Sequence, residues 1–205
     1  MADKFAELAF TPSVKSEQER KGSRRGYARL EQGDADHDRL GVQEASFIAA
    51  RDSFYMATVS ETGWPYIQHR GGPEGFVRVI NDKTIGFADF AGNRQYISVG
   101  NLRTDDRVSM FFMDYANQTR LKLLGRGRLI GSSEARLFEQ LYLPGYVARV
   151  ERGMIITVEG YDWNCPQHIT PRFTQTQVMA IVAPLKERLA ESEAALVSLK
   201  ARNTG

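Results

Sequence analysis

Two short segments bring together residue types that can hold an anion. The first, Pro65-Tyr66-Ile67-Gln68-His69-Arg70-Gly71-Gly72-Pro73-Glu74-Gly75-Phe76, ends a strand in a glycine-rich turn. Arg70 offers a fixed fork of donors suited to phosphate, and the adjacent glycines let backbone N–H groups approach an anion with no Cβ in the way. The second, Phe87-Ala88-Asp89-Phe90-Ala91-Gly92-Asn93-Arg94-Gln95-Tyr96, joins a strand to a helix expected over Asn93 to Leu102. With Asn93 as N-cap, the unpaired N–H groups of the first turn and Arg94 face the same anion. Alone, each segment reads as a hairpin loop or a capped helix with solvated charge. Together they describe a phosphate cradle on which the basic side chains of Arg70 and Arg94 converge, with glycine-loop and helix N–H groups beside them.

A third segment runs from Tyr161 to Arg172 and contains Trp163, Asn164, Cys165, Gln167 and His168 between two prolines. Such a composition suits a rigid loop over a ligand, so Asn164, Gln167 and His168 are the substrate-facing candidates. Cys165 and His168 without a second ligand pair make a poor metal site, and none is expected.

These segments need a scaffold. Val42 to Arg51 carries helix formers with apolar residues at Val42, Ala45, Phe47 and Ile48. After it the pattern turns to β: Phe54–Val59, Pro65–Arg70, Phe76–Ile80, Thr84–Phe87, Val108–Met113, Leu121–Ile130 and Met154–Val158 all read as strands punctuated by turns. Many short antiparallel strands with brief helices predict a mainly β chain closed into a barrel, which hides sheet edges. Residues 1–40 read as a polar arm with little core of its own, 41–182 as the barrel domain, and 183–205 as an amphipathic helix. That helix carries Leu185, Leu189, Ser192, Leu196 and Leu199 at spacings of four and three, over about two heptads. Packing against its own domain or a partner is expected.

Composition limits the function classes. Twenty-seven basic against 25 acidic residues leave a net charge of +2, too balanced for nucleic-acid binding by charge alone. One cysteine excludes an internal disulfide, and no apolar run suits a leader or a membrane span, so a cytoplasmic protein is expected.

The two anion segments resemble the FMN-phosphate strand and the strand-to-helix turn of pyridoxamine 5'-phosphate oxidase-like split barrels, with a match over about Phe54 to Ile130. The family's strand Arg and its Lys five residues later correspond here to Gln68 and Pro73, which shifts phosphate binding to His69, Arg70 and loop N–H groups. The family's Ser-Arg-Lys corresponds to Asn93-Arg94-Gln95, so the resemblance implies cofactor contacts from Gln68, His69, Arg70 and Gly71 in the first segment and from Ala88, Asp89, Asn93, Arg94 and Gln95 in the second. Asn117-Gln118-Thr119-Arg120-Leu121 with Gly125 resembles the strand that approaches the flavin ring, placing Gln118 or Arg120 there. Trp163 and Arg172 match the spacing of a Trp and an Arg that reach FMN from the partner subunit.

The resemblance therefore implies FMN as cofactor, bound at a homodimer interface, with an oxidoreductase activity on a small-molecule substrate. No Tyr-Arg-Ser arrangement for a substrate phosphate accompanies Phe138, Tyr142 and Tyr146, so oxidation of pyridoxamine phosphate is not the expected reaction. Three alternatives stay open: a deazaflavin-dependent reductase, a haem-binding split barrel using His168, His69 or His37, and a non-catalytic flavin-binding dimer.

Overall fold

The computed structural model describes residues 3–31, 37–163 and 166–203. They form two compact units, one made of the segments up to Asp114 and from Thr119 to Gln167, the other of Tyr115–Gln118 and the chain after Gln167.

In the first unit, seven strands make one antiparallel sheet: β1 (Ser53–Val59), β2 (Pro65–Gly71), β3 (Val77–Asn81), β4 (Thr84–Phe90), β5 (Arg107–Asp114), β6 (Thr119–Ile130) and β7 (Val150–Trp163). Their order is β2-β1-β5-β6-β7-β4-β3. Alternation explains the closure. Phe54, Met56 and Thr58 of β1, Val108, Met110 and Phe112 of β5, and Leu121 and Leu123 of β6 are buried, with partly exposed or exposed residues between them.

The sheet curls until Phe54 of β1 meets Phe87 of β4 edge to face at 5.1 Å, although three strands lie between them in sheet order. Phe54 also stacks on Phe76 and tilts against Phe112, so one phenylalanine cluster fills the barrel. A smaller core of Ala88, Ile130, Leu141 and Ile155 lies on the other face of β4 and β7. Leu137 and Phe138 of a short helix, Ala135–Glu139, pack against it.

The remaining helices of this unit are α1 (Lys4–Ala9), α2 (Pro12–Arg20), α3 (Arg24–Glu31), α4 (Val42–Ala49) and α5 (Ile97–Asn101); the Ala135–Glu139 helix is α6. The N-terminal arm thus folds into three short helices. α1 buries Ala6 and lies on β7, where Gly160 permits the approach: a Cβ there would stand 2.8 Å from the Phe5 nitrogen. At α4, Glu44 is buried because its carboxylate accepts from the Gly41 N–H at the helix start and from the Trp163 indole.

The expected Asn93–Leu102 helix is shorter than the sequence suggests. It begins only at Ile97, since Arg94 and Tyr96 take positive φ values of 60° and 55°, left-handed conformations that interrupt a right-handed helix. Asn93 instead accepts from the Gln95 N–H, closing a local turn.

The second unit holds α7 (Gln175–Asn203). None of its residues is buried. Among the described residues, no helix is long and apolar enough to cross a membrane.

Candidate functional site

Strand register decides which predicted residues can meet. Arg70 and Gln68 pair with Phe54 and Met56 of β1 and share their inward face, whereas His69 pairs with Tyr55 on the outer face. His69 is exposed and stacks edge-on against Tyr55 at 5.5 Å. It points away from the face that carries Arg70, and Gly71 is exposed at the strand end. The same alternation separates the β4 pair: Asp89 is buried on the barrel side, while Ala88 belongs to the smaller core.

A cleft of about 170 Å³ opens where β2, β4 and the loop before α5 converge. Gln68, Arg70, Asp89, Asn93 and Arg94 line it, so five of the predicted residues come together. Gln95 does not line it. Tyr96, Ser98 and Glu151 complete the wall and were not among the expected site residues. Arg152, next to them, was also missed. The signal was weak, because the charged start of β7, Val150-Glu151-Arg152-Gly153, does not read as strand.

The cleft is built on charge pairs. Asp89 pairs with Arg70, and Arg152 approaches its second oxygen at 3.5 Å while holding Glu151 at 2.7 Å. Arg70 is only 13% exposed, and its Nε is buried with no hydrogen-bond partner among the described residues. Gln68 accepts from the Ser98 hydroxyl at 3.1 Å. Arg94 sits at the exposed rim, where the Tyr96 hydroxyl first, and then the Glu151 carboxylate, raise its pKa further above the ordinary guanidinium value. The Arg152 guanidinium lies 5.1 Å from the Tyr96 ring centroid, within cation–π reach.

Such a lining suits the phosphate end of a ligand. An orphaned donor on Arg70, a fully charged Arg94 and the amides of Gln68 and Asn93 supply hydrogen bonds. Asp89 and Glu151 offset two of the three positive charges of Arg70, Arg94 and Arg152, so the site would act through directed donors more than through a strong positive field. A second groove of about 630 Å³ adjoins at Tyr96 and Val99 and offers Arg103 and Arg152.

The other predicted residues stand elsewhere. Arg120 is on the outer face of β6 opposite Met113, with its guanidinium 5.5 Å from the Phe111 ring centroid and its Nε buried without a partner among the described residues. Trp163 is tied to α4, donating to Glu44 at 2.7 Å and meeting Phe47 edge to face. Within the second unit, Gln118 donates to the Ile169 carbonyl at 2.6 Å, Arg172 lies over the Tyr115 ring, and His168 is exposed at a φ of 63°. Gln167 is exposed; Asn164 and Cys165 lie outside the described residues.

A family model described as pyridoxamine 5'-phosphate oxidase matches residues 42–156, more than half of the chain. The chain belongs to the pyridoxamine 5'-phosphate oxidase family. The matched segment runs from the start of α4 to the middle of β7 and includes every residue of the cleft.

Among solved structures, HupZ from Group A Streptococcus is similar at 18% identity, covering 65% of this chain and 100% of that one, with a TM-score of 0.49. An FMN-binding protein from Syntrophomonas wolfei is similar at 13% identity, covering 72% and 97%, with a TM-score of 0.42. A protein related to general stress protein 26 from Clostridium acetobutylicum is similar at 16% identity, covering 63% and 89%, with a TM-score of 0.44. No curated protein matches the chain.

Proposed function

We propose that this chain is an FMN-binding flavoprotein acting as an oxidoreductase, with the flavin held at an interface between two copies. The observation that carries the reading is the meeting of Arg70, Arg94, Gln68 and Asn93 in one cleft of a family member. Drug-sized ligands fill about 300–1,000 Å³, so the cleft itself would take the phosphate and the start of the chain attached to it.

Bound FMN would supply hydride and electron transfer through its ring. The protein's part is to position it. Arg94 and the Arg70 Nε would donate to phosphate oxygens, while the Gln68 amide, fixed by Ser98, would orient the attached polyol. Arg103 and Arg152 in the adjoining groove would receive a polar or anionic substrate group. Phe138 packs against the smaller core and the Tyr146 ring tilts against Phe90, so neither supports a substrate-phosphate site of the pyridoxamine phosphate kind.

A homodimer is the second part of the reading. Ile67 stands 64% exposed on the outer face beside Ala57, and the same face carries Phe111. Pairing of two such faces would cover the apolar residues. A cytoplasmic location accords with the single cysteine.

The test is the absorption spectrum of purified protein, with mass spectrometry of the heat-released supernatant. Oxidised-flavin bands and the mass of FMN are expected. A Soret band, a deazaflavin, or a colourless protein that takes up no added FMN overturns the reading.

A further inference from the structure

The sequence pattern of α7 extends further than the leucine stripe alone. Counting back from Leu185 in alternating steps of three and four reaches Val182 and Val178; counting forward from Leu199 reaches Asn203. The heptad therefore holds over the whole of 178–203, with Val182, Leu189, Leu196 and Asn203 at the a positions and Val178, Leu185, Ser192 and Leu199 at d. All of it falls within one continuous helix, Gln175–Asn203. Three and a half heptads meet the length that a coiled-coil seam needs.

The seam is apolar and exposed. No residue of α7 is buried, and Val178, Leu185, Leu189, Leu196 and Leu199 stand 44–59% exposed. Helical stability in water comes chiefly from packing an apolar face, so a 29-residue helix with such a face calls for a partner. We infer that α7 pairs with α7 of a second copy of this chain as a parallel, in-register two-stranded coiled coil.

Charge identifies the occupant and the direction. In a parallel pair, a g residue faces the e residue five positions further along the other helix, and such pairs set partner and orientation. Here Arg188 is at g and Glu193 at e, so each copy's arginine faces the glutamate of the other. Asn203 at an a position is the residue type that favours two strands in fixed register. Ser192 is the polar member of the d set, and its hydroxyl is already satisfied by the Arg188 carbonyl at 2.8 Å, so it enters the seam without an orphaned donor. Pro184 falls at c, away from the seam.

The inference stands independently of the flavin reading, and its test uses covalent capture in the full chain. In a Cys165→Ser background, Ser192→Cys places one thiol at d and Ala194→Cys places one at f, both at exposed positions that leave folding unaltered. Under mild oxidation, Ser192→Cys is expected to run as a covalent dimer on a non-reducing gel, and Ala194→Cys as a monomer, because only facing d residues come within disulfide reach. Adding Arg188→Glu slows the capture, and combining it with Glu193→Arg restores it. Equal capture at the two positions overturns the inference. So does an Arg188→Glu chain that cross-links at the original rate, the result expected of an antiparallel pair, in which Lys186 rather than Arg188 meets Glu193.

Discussion

The Arg70 guanidinium on β2 is paired with the Asp89 carboxylate on β4, although four strands separate the two in sheet order. The pair closes the barrel at the cleft and sets the terms on which an anion enters, because a phosphate must share Arg70 with Asp89. A resident carboxylate also keeps the arginine extended and ready when no ligand is bound.

Replacing Asp89 with Asn separates these two effects. The change leaves Arg70 and Arg152 without their shared counter-ion in a largely buried place, which costs about 3 kcal/mol of stability. The freed Arg70 should bind a phosphate ester roughly tenfold more tightly, the gain of one charge-assisted hydrogen bond. Urea unfolding and flavin titration measure both. Unchanged stability would show that solvent, rather than Asp89, balances Arg70.

Gly160→Ala tests the docking of the N-terminal arm. The new methyl would meet Phe5 backbone atoms at 2.8 and 3.0 Å, so α1 must lift from β7. Overpacking of this kind costs about 1–3 kcal/mol, here confined to the arm. Amide exchange in α1 should quicken while the barrel strands keep their protection. Unaltered protection of α1 would mean that the arm tolerates the shift.

Asp105 supplies a pH dependence. Its bonds to the Arg107 side chain and N–H lower its pKa from 3.8 to about 2. Because the folded pKa is depressed, the stabilisation is present above the ordinary value and is lost as pH falls through about 2. Carboxyl NMR should find Asp105 still ionised at pH 3, and in Arg107→Ala titrating back toward its ordinary value. A wild-type midpoint at that ordinary value would remove the ion pair from the account.

Much of the barrel was legible because β1, β2 and most of β5 alternate in burial: the Phe54–Met56–Thr58 side of β1 can be read from residue types alone. The Asn93–Leu102 helix was not, since two non-glycine residues, Arg94 and Tyr96, take left-handed backbone that no propensity scale signals. The cleft was half legible. Arg70 and Arg94 announce themselves by type, but which neighbours join them depends on parity along β2 and β4, and that parity sends His69 and Ala88 to other faces. Glu151 and Arg152 come from a strand 60 residues later, and only the β4–β7 register, in which Asp89 opposes Arg152, brings them in. Trp163 matched a family spacing, yet its indole N–H serves the buried Glu44 of its own chain.

The central claim is that the cleft of Arg70, Arg94, Gln68 and Asn93 recognises a flavin through its phosphate. Its most direct test is a fluorescence titration of flavin-free protein with FMN and with riboflavin, repeated on Arg94→Ala. The account predicts that FMN binds more tightly than riboflavin by at least about tenfold, and that Arg94→Ala weakens FMN by about 1.5–3 kcal/mol while leaving riboflavin unchanged. Equal affinities for the two flavins, or an Arg94→Ala chain that binds FMN as well as the wild type, would contradict it.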